Sequence, residues 1–458
     1  MARKASLSGF PEYLPAERLV ENHVLDTLRE TFELHGFSPI ETRSVETIEQ
    51  LLRKGEIDKE VYAISRLQED EAAKAKEKLA LHFDLTVPFA RYVLEYAGQL
   101  TFPFKRYQIQ KVWRGERPQE GRFREFIQAD IDVVGDGKLP LHYDAELPLI
   151  MHEALSALPI PPVLLHVSNR KVAQGFYTTI GVAEESLIEV LRVVDKLDKI
   201  GPEAVAQELE ETVGLSATQA QLALQMAGIT ASNGAELEAK LRALLEQAGL
   251  EANELLEQGV AELAGVLEVA ARRRPGALIA DLKIARGLDY YTGTVYESEL
   301  IGHEDLGSIC SGGRYDSLAS NGKRAFPGVG LSIGVSRLLA RVIGAGLVQV
   351  SRPVPTAVLV AVTDEDSRPV SEAVADKLRA RGICADVAPT AAKFGKQIKF
   401  ADKRGIPFVW FPAAVDEAAS SGADSVKDIR SGEQVEADAA TWQCPEQDLR
   451  VQVTAAQV

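Results

Sequence analysis

The sequence predicts an α+β fold: a core on a largely antiparallel sheet, a helical insertion within it, and a smaller C-terminal α/β domain. Three observations predict this. Strand-like runs cluster between residues 79 and 135 behind a single N-terminal helix. From about 170 to 275 the chain turns rich in Ala, Leu and Glu at helical spacing and contains no Trp. Beyond residue 355, apolar runs alternate as strand, helix, strand, helix, strand.

The elements follow in order. Residues 16–35 read as a helix, because Val20, Val24, Leu28 and Phe32 recur every four residues between Pro15 and Gly36. Residues 68–78 are charged and poor in apolar side chains, which predicts an exposed loop. Leu79, Leu81, Phe83 and Leu85 alternate, so 79–87 reads as a strand, and 104–113 and 125–135 as two more. In the insertion, Leu187, Leu191, Val194 and Leu197 share one helix face and Leu237, Leu241, Leu244 and Leu245 another. Strand-like aromatic sequence returns at 278–300. Gly346, Pro353 and Pro355 mark a linker at 345–355. Val358–Val362 then reads as a buried strand, 368–381 as a helix, Ile383–Val387 as a strand, 393–404 as a basic helix and Phe408–Phe411 as a strand.

With 458 residues the chain is long enough for about three domains and needs no disulfide or metal to hold a core. Fifty-one basic residues stand against 67 acidic ones, a net charge of −16, which excludes a generally cationic nucleic-acid binder. The charge is segregated, however. Residues 104–125 and 391–410 each carry +4, and the remainder −24. Three widely spaced cysteines suggest neither a disulfide framework nor a zinc site and fit a reducing compartment. No secretory signal opens the chain, and no apolar run reaches the roughly 20 residues a bilayer requires. A soluble, cytoplasmic protein without membrane contact is expected.

Several segments carry chemistry. Arg114, Arg117, Arg122 and Arg124 surround a turn at Pro118–Gly121 between two strands. Guanidinium forks there suit a polyphosphate, although a solvated hairpin tip would show the same charge. On the next strand Ile127, Ala129, Ile131 and Val133 share an apolar face, while Gln128, Asp130 and Asp132 share a polar one, either a pocket floor or a solvated sheet face. Asp84 and Thr86 fall on one face of a strand end and could receive an ammonium group, or simply form a turn. Arg286-Gly-Leu-Asp-Tyr290-Tyr291 concentrates aromatic and polar groups. Gly312-Gly-Arg-Tyr-Asp316 is a glycine-rich turn, and Gly330–Arg337 a strand-to-helix passage whose arginine could reach a phosphate. The histidines show no metal spacing, and neither a P-loop nor a Gly-x-Ser-x-Gly elbow is present.

In this order the segments resemble the class II aminoacyl-tRNA synthetases, and among them the histidyl-tRNA synthetase family. Arg114–Glu125 resembles the second class II motif in its histidyl form, and Gly330–Arg337 the third. Arg286–Tyr291 and Gly312–Asp316 resemble two histidyl signatures. The resemblance implies a class II antiparallel catalytic core at 1–168 and 276–345, a helical insertion at 169–275, and an anticodon-binding domain at 355–458. It implies a homodimer that joins L-histidine to ATP with Mg2+, then passes the acyl group to tRNA(His). Arg114 and Arg286 would be catalytic, gripping the α-phosphate and the substrate carboxylate. Glu116, Arg122 and Arg337 would complete the ATP site. Asp84, Thr86 and Gln128 would hold the α-ammonium group, and Asp132, Tyr290 and Tyr291 the imidazole. Gln119, Lys396 and Lys399 would touch tRNA, although lysines on a solvated helix would look the same. No metal ligand of the protein is implied.

Two positions depart from the family. Arg43 stands where the first motif carries proline, and Ser336 where the third carries Glu. One rival is the histidyl-synthetase-like regulatory subunit of histidine biosynthesis, a non-enzyme. It typically lacks the C-terminal domain and degrades the Arg286–Tyr291 signature, whereas this chain keeps both. A second rival, a threonyl, prolyl or glycyl enzyme, would lack the histidyl signatures.

Overall fold

The computed structural model of the chain describes residues 7–52, 60–67, 78–285, 290–320, 322–413 and 422–456. They divide into two compact units, one of residues up to Pro11 with Val24–Gly344, the other of Glu12–His23 with the residues from Ala345 on.

A nine-stranded mixed sheet organises the first unit. Its spatial order is Ser38–Pro39, Phe104–Trp113, Glu125–Val134, Gly328–Gly334, Cys310–Tyr315, Thr294–Leu300, Val163–Asn169, Leu278–Asp281 and Thr230–Ala231. The central pairings are antiparallel. Only Ser38–Pro39 beside 104–113 and Val163–Asn169 beside 278–281 run parallel. The helix predicted at 16–35 spans Pro15–Leu34, and its four-residue repeat is buried as expected.

The stretch from 170 to 273 holds six α-helices, Arg170–Thr179 to Glu254–Arg273. Polar caps define their starts. Asn169, Asn233 and Asn253 each accept a backbone N–H of the first turn, and Ser216 forms a capping box with Gln219. Two glycines let the first and last of these helices touch backbone to backbone. A Cβ on Gly175 would lie 2.5 Å from Leu256 N, and one on Gly259 2.6 Å from Val172 N. The insertion is not purely helical, since Thr230–Ala231 adds an edge strand to the sheet.

In the second unit, Ala385–Val387, Val358–Val360 and Phe408–Phe411 form a parallel sheet, flanked by helices Arg368–Ala380 and Phe394–Lys403. Two antiparallel strands, Ser425–Asp428 and Gln434–Glu436, extend it. Being short and polar, they carry no apolar run that the sequence could reveal. The expected linker at 345–355 is partly a strand, because Val348–Val350 pairs with Val453–Ala455. Of the expected loop at 68–78, residues 68–77 lie outside the described residues.

The run expected at 79–87 is a strand only over Leu79–Leu81, and helix Thr86–Tyr96 begins inside its range. Asp84 is the reason. Its Oδ1 accepts the N–H of Val87 at 3.1 Å, and Pro88 in the first helical turn has no N–H to lose. Asp84 and Thr86 therefore meet at a helix start, not on one strand face.

Candidate active site

The arginine hairpin is real: Phe104–Trp113 and Glu125–Val134 pair along their whole lengths, with Gln119 and Arg122 closing the tip. Its charge is not a free surface patch. Lys105 pairs with Glu146 (2.8 Å), Lys111 with Glu125 (2.6 Å) and Arg106 with Asp132 (2.7 Å). Two of the hairpin arginines, Arg114 and Arg122, converge on one cavity of about 270 Å3. Arg114, Glu116, Arg122, Phe123, Phe126 and Arg337 contribute to its wall. Phe83 and Phe126 carry the Arg114 guanidinium on their ring faces, 4.3 and 5.1 Å from the centroids, and its Nε donates to Phe83 O. Glu116 lies between Arg114 (3.9 Å) and Arg122 (3.6 Å). Arg337, in the first turn of helix Val335–Gly344, donates from Nη2 to Leu306 O at 2.6 Å. Three guanidinium groups, one of them held on aromatic rings, with one carboxylate, suit a nucleoside triphosphate.

A second, smaller pocket adjoins it. Thr86, Asp130, Asp132, Tyr291, Tyr315 and Gly330 are among its lining residues, and Ser311 and Ser332 line both cavities. The strand register explains this. Arg106, Asp132 and Gly330 lie abreast on neighbouring strands, and so do Gln108, Asp130, Ser332 and Ser311. Both faces of Glu125–Val134 are buried from Ile127 onward, so its polar side is a pocket floor and not a solvated face.

Arg106 is wholly buried and lies over the Phe89 ring at 4.2 Å while it pairs with Asp132. Tyr315 Oη donates to the other oxygen of Asp132 at 2.7 Å. Burial, with the Asp132 charge beside it, drives the Tyr315 hydroxyl far above its ordinary range, and burial next to Tyr290 does the same for Tyr291. Both therefore stay protonated as donors. Gln128 donates from Nε2 to Ser332 Oγ (2.8 Å), and its buried Oε1 accepts from no donor among the described residues.

The structure thus brings Arg114, Glu116, Arg122, Gln128 and Arg337 to one cavity, and Thr86, Asp132 and Tyr291 to the other. Asp84 caps the helix beside them. The Tyr290 and Tyr291 rings meet at 51° with centroids 4.2 Å apart, and both pack on one apolar cluster. The strand-like run expected over 278–300 is strand only at Leu278–Asp281 and Thr294–Leu300, so the two tyrosines lie between strands. Gln119 is exposed at the hairpin tip, and Lys396 and Lys399 are exposed on helix Phe394–Lys403. Arg286 lies outside the described residues.

Arg106 and Tyr315 are the site residues the sequence hid. Arg106 was one charge among seven on the hairpin, and only its cross-strand register with Asp132 marks it. Arg314 of the glycine-rich signature stays out of the site and makes a buried pair with Asp144, its Nε 3.0 Å from Oδ1. The family departures have local partners. Arg43 pairs with buried Glu46 (2.9 Å), and Ser336 Oγ accepts the Ile127 N–H (2.9 Å).

Comparison with known proteins identifies the family. A family model described as histidyl-tRNA synthetase matches residues 9–338, and one described as an anticodon binding domain matches 356–441. The Histidine--tRNA ligase of Micrococcus luteus is 61% identical over 467 residues, covering 100% of both chains. That of Thermobifida fusca is 48% identical, covering 96% of this chain and 98% of the relative. The crystal structure of histidyl-tRNA synthetase from Nostoc sp. PCC 7120 aligns with a TM-score of 0.83 at 39% identity, covering 96% and 98% of the two chains. An ATP phosphoribosyltransferase regulatory subunit/histidyl-tRNA synthetase from Bacillus halodurans C shares the fold at 19% identity, with a TM-score of 0.71 over 86% of this chain and 96% of that one. With a family model covering most of its length and relatives this similar over the whole of it, the chain belongs to the histidyl-tRNA synthetase family.

Proposed function

We propose that the protein is a histidine--tRNA ligase: it joins L-histidine to tRNA(His) through a histidyl-adenylate, releasing pyrophosphate and then AMP. The observation that carries this reading is the meeting of the two cavities at Ser311 and Ser332. A histidine seated among Asp132, Thr86 and Tyr291 directs its carboxylate toward the arginine-lined cavity, where the α-phosphate of ATP would lie. A carboxylate oxygen attacks the α-phosphorus in line, and pyrophosphate leaves. A terminal hydroxyl of the tRNA then attacks the acyl carbon, and AMP leaves.

No protein nucleophile is needed. The residues act by orientation and by fixed charge where negative charge accumulates on phosphate oxygens. Arg114 and Arg286 hold the α-phosphate and the carboxylate. Arg122 and Arg337 hold the outer phosphates, and Glu116 contacts the adenine. Gln128 Oε1, a buried acceptor, suits the α-ammonium group together with Asp84 and Thr86. Tyr290 backs Tyr291 against the imidazole. Magnesium fits as an ion carried by the nucleotide, since Glu116 is the only carboxylate among the described residues lining the cavity. There it would neutralise phosphate charge.

The domain division 1–168, 169–275, 276–345 and 355–458 is part of this reading, as are tRNA contacts at Gln119, Lys396 and Lys399. So are a homodimer and a cytoplasmic location. No helix among the described residues is long and apolar enough to cross a membrane. Histidine-dependent exchange of pyrophosphate into ATP tests the assignment. Exchange with histidine alone is expected, and exchange supported by another amino acid instead would overturn it. Deleting 355–458 should preserve exchange and impair tRNA charging.

A further inference from the structure

We propose that Asp130 is a specificity-determining residue of the amino-acid pocket: its Oδ1 pairs with one ring nitrogen of the bound imidazole, and a single proton is held between them. The inference rests on the reading of this pocket as the histidine site.

Asp130 and Asp132 project from the same face of Glu125–Val134 and line the same pocket. Same-face neighbours on a strand stand about 6.6–6.8 Å apart. Two carboxylates on neighbouring same-face positions can flank a flat five-membered ring, one at each nitrogen. The two carboxylates are not equivalent. Asp132 is compensated by Arg106 on one oxygen and Tyr315 on the other. Asp130 stands 3.8 Å from Arg106 and has Ser332 as a hydrogen-bond partner, while its buried Oδ1 has no partner among the described residues. An acceptor kept dry and unpaired is costly, which points to a donor supplied by the ligand.

The surroundings of Asp130 set its proton affinity. Strand Phe104–Trp113 presents Arg106 and Gln108, strand Gly328–Gly334 presents Ser332, and Cys310 and Tyr315 lie on the next strand. Asp132 on its own strand and Asp84 at the helix start add negative charge. Burial raises its pKa to about 7, against the opposing pull of Arg106. The substrate imidazole titrates in the same range, near about 6.5.

The complex holds the same number of protons written either way: carboxylate facing imidazolium, or carboxylic acid facing neutral imidazole. At a pH above both ranges, the free partners are a carboxylate and a neutral ring. Binding then takes up one proton from solvent. A ligand without a second ring nitrogen cannot complete this pair, so Asp130 discriminates for imidazole beyond what Asp132 alone does.

The test is calorimetric titration of L-histidine into the full chain at about pH 8, in phosphate and in Tris, whose ionisation enthalpies differ. About one proton taken up per histidine is expected for the native chain, and close to none for Asp130→Asn, which keeps the shape and a hydrogen-bonding group. Binding without uptake by the native chain, or uptake that persists in Asp130→Asn, would overturn the proposal while leaving the histidine pocket intact. If Asp130→Asn does not fold, the native chain decides alone. Its histidine affinity should fall about tenfold per pH unit above about 7.5, as one-proton linkage requires, and a flat profile refutes the proposal. Absence of histidine binding would refute the pocket assignment itself, and this proposal with it.

Discussion

Gly330→Ala should cripple histidine recognition and spare ATP binding. A Cβ at Gly330 would lie 2.0 Å from Asp132 Oδ1 and 2.5 Å from its Cγ. Ordinary contact begins near 3.4 Å, so the carboxylate would have to retreat by about 1.4 Å. The displaced oxygen is the one that accepts the Tyr315 hydroxyl at 2.7 Å, and the same movement strains the 2.7 Å pair with Arg106. Losing the charge-assisted hydrogen bond alone costs about 1.5–3 kcal/mol. At about 1.4 kcal/mol per decade, that is a rise of about 10- to 150-fold in histidine KM. Pyrophosphate exchange at varied histidine and saturating ATP measures it, and ATP KM serves as the internal control, because Gly330 does not line the nucleotide cavity. Tyr315→Phe removes the same hydrogen bond without adding an atom, and should move histidine KM in the same direction. Unchanged histidine KM in both variants, each with a native-like melting transition, would refute the role given to the Asp132 cluster.

Three further outcomes are expected. Arg337→Gln removes a cation from the nucleotide cavity only, so ATP KM should rise by about tenfold or more while histidine KM stays within about twofold, read by the same exchange assay. Ser336→Ala leaves the buried Ile127 N–H without its acceptor and should cost about 1–3 kcal/mol, seen as a lower urea midpoint. For Asp130, a folded pKa of about 7 lies above the ordinary 3.8, so the folded chain binds more protons than the unfolded one between those values. The contribution of Asp130 to stability is therefore greatest below about pH 4 and is lost as pH rises toward 7. Denaturation across that range should show a shallower decline in Asp130→Asn than in the native chain, and parallel curves would refute the assigned shift.

What the sequence disclosed and what it concealed have different physical origins. Long periodic segments were legible. The four-residue repeat from Val20 to Phe32 and the paired hairpin strands follow from local pattern alone, and their boundaries agree with the structure to within a residue. The error at 79–87 came from reading alternation across Asp84, where a side-chain cap converts the run into a helix start. Strands Ser425–Asp428 and Gln434–Glu436 escaped because each is only three or four residues long with a single apolar side chain, too little for an apolar signature. In the site, Arg114, Arg122 and Arg337 were visible as charge near turns. Arg106 and Tyr315 were not, because their importance lies in strand register: Arg106 opposite Asp132 across one hairpin, and Tyr315 two strands away. Charge counting also overstated the hairpin, since Lys105 and Lys111 pair with Glu146 and Glu125.

The central sheet places Gly328–Gly334 directly beside Glu125–Val134, and this has a consequence for how the protein is made. Ile127 and Ser336 are 209 residues apart in sequence, Gln128 and Ser332 204, and Tyr315 and Asp132 183. During synthesis the strand Glu125–Val134 leaves the ribosome long before its central neighbour exists, with apolar side chains on one face and an unpaired backbone edge on the other flank. The helices between 170 and 273 can form meanwhile from local contacts, but the sheet cannot close until the chain beyond residue 336 has emerged. A chain truncated inside the helical stretch therefore yields an open, sticky half-sheet in place of a partly active enzyme.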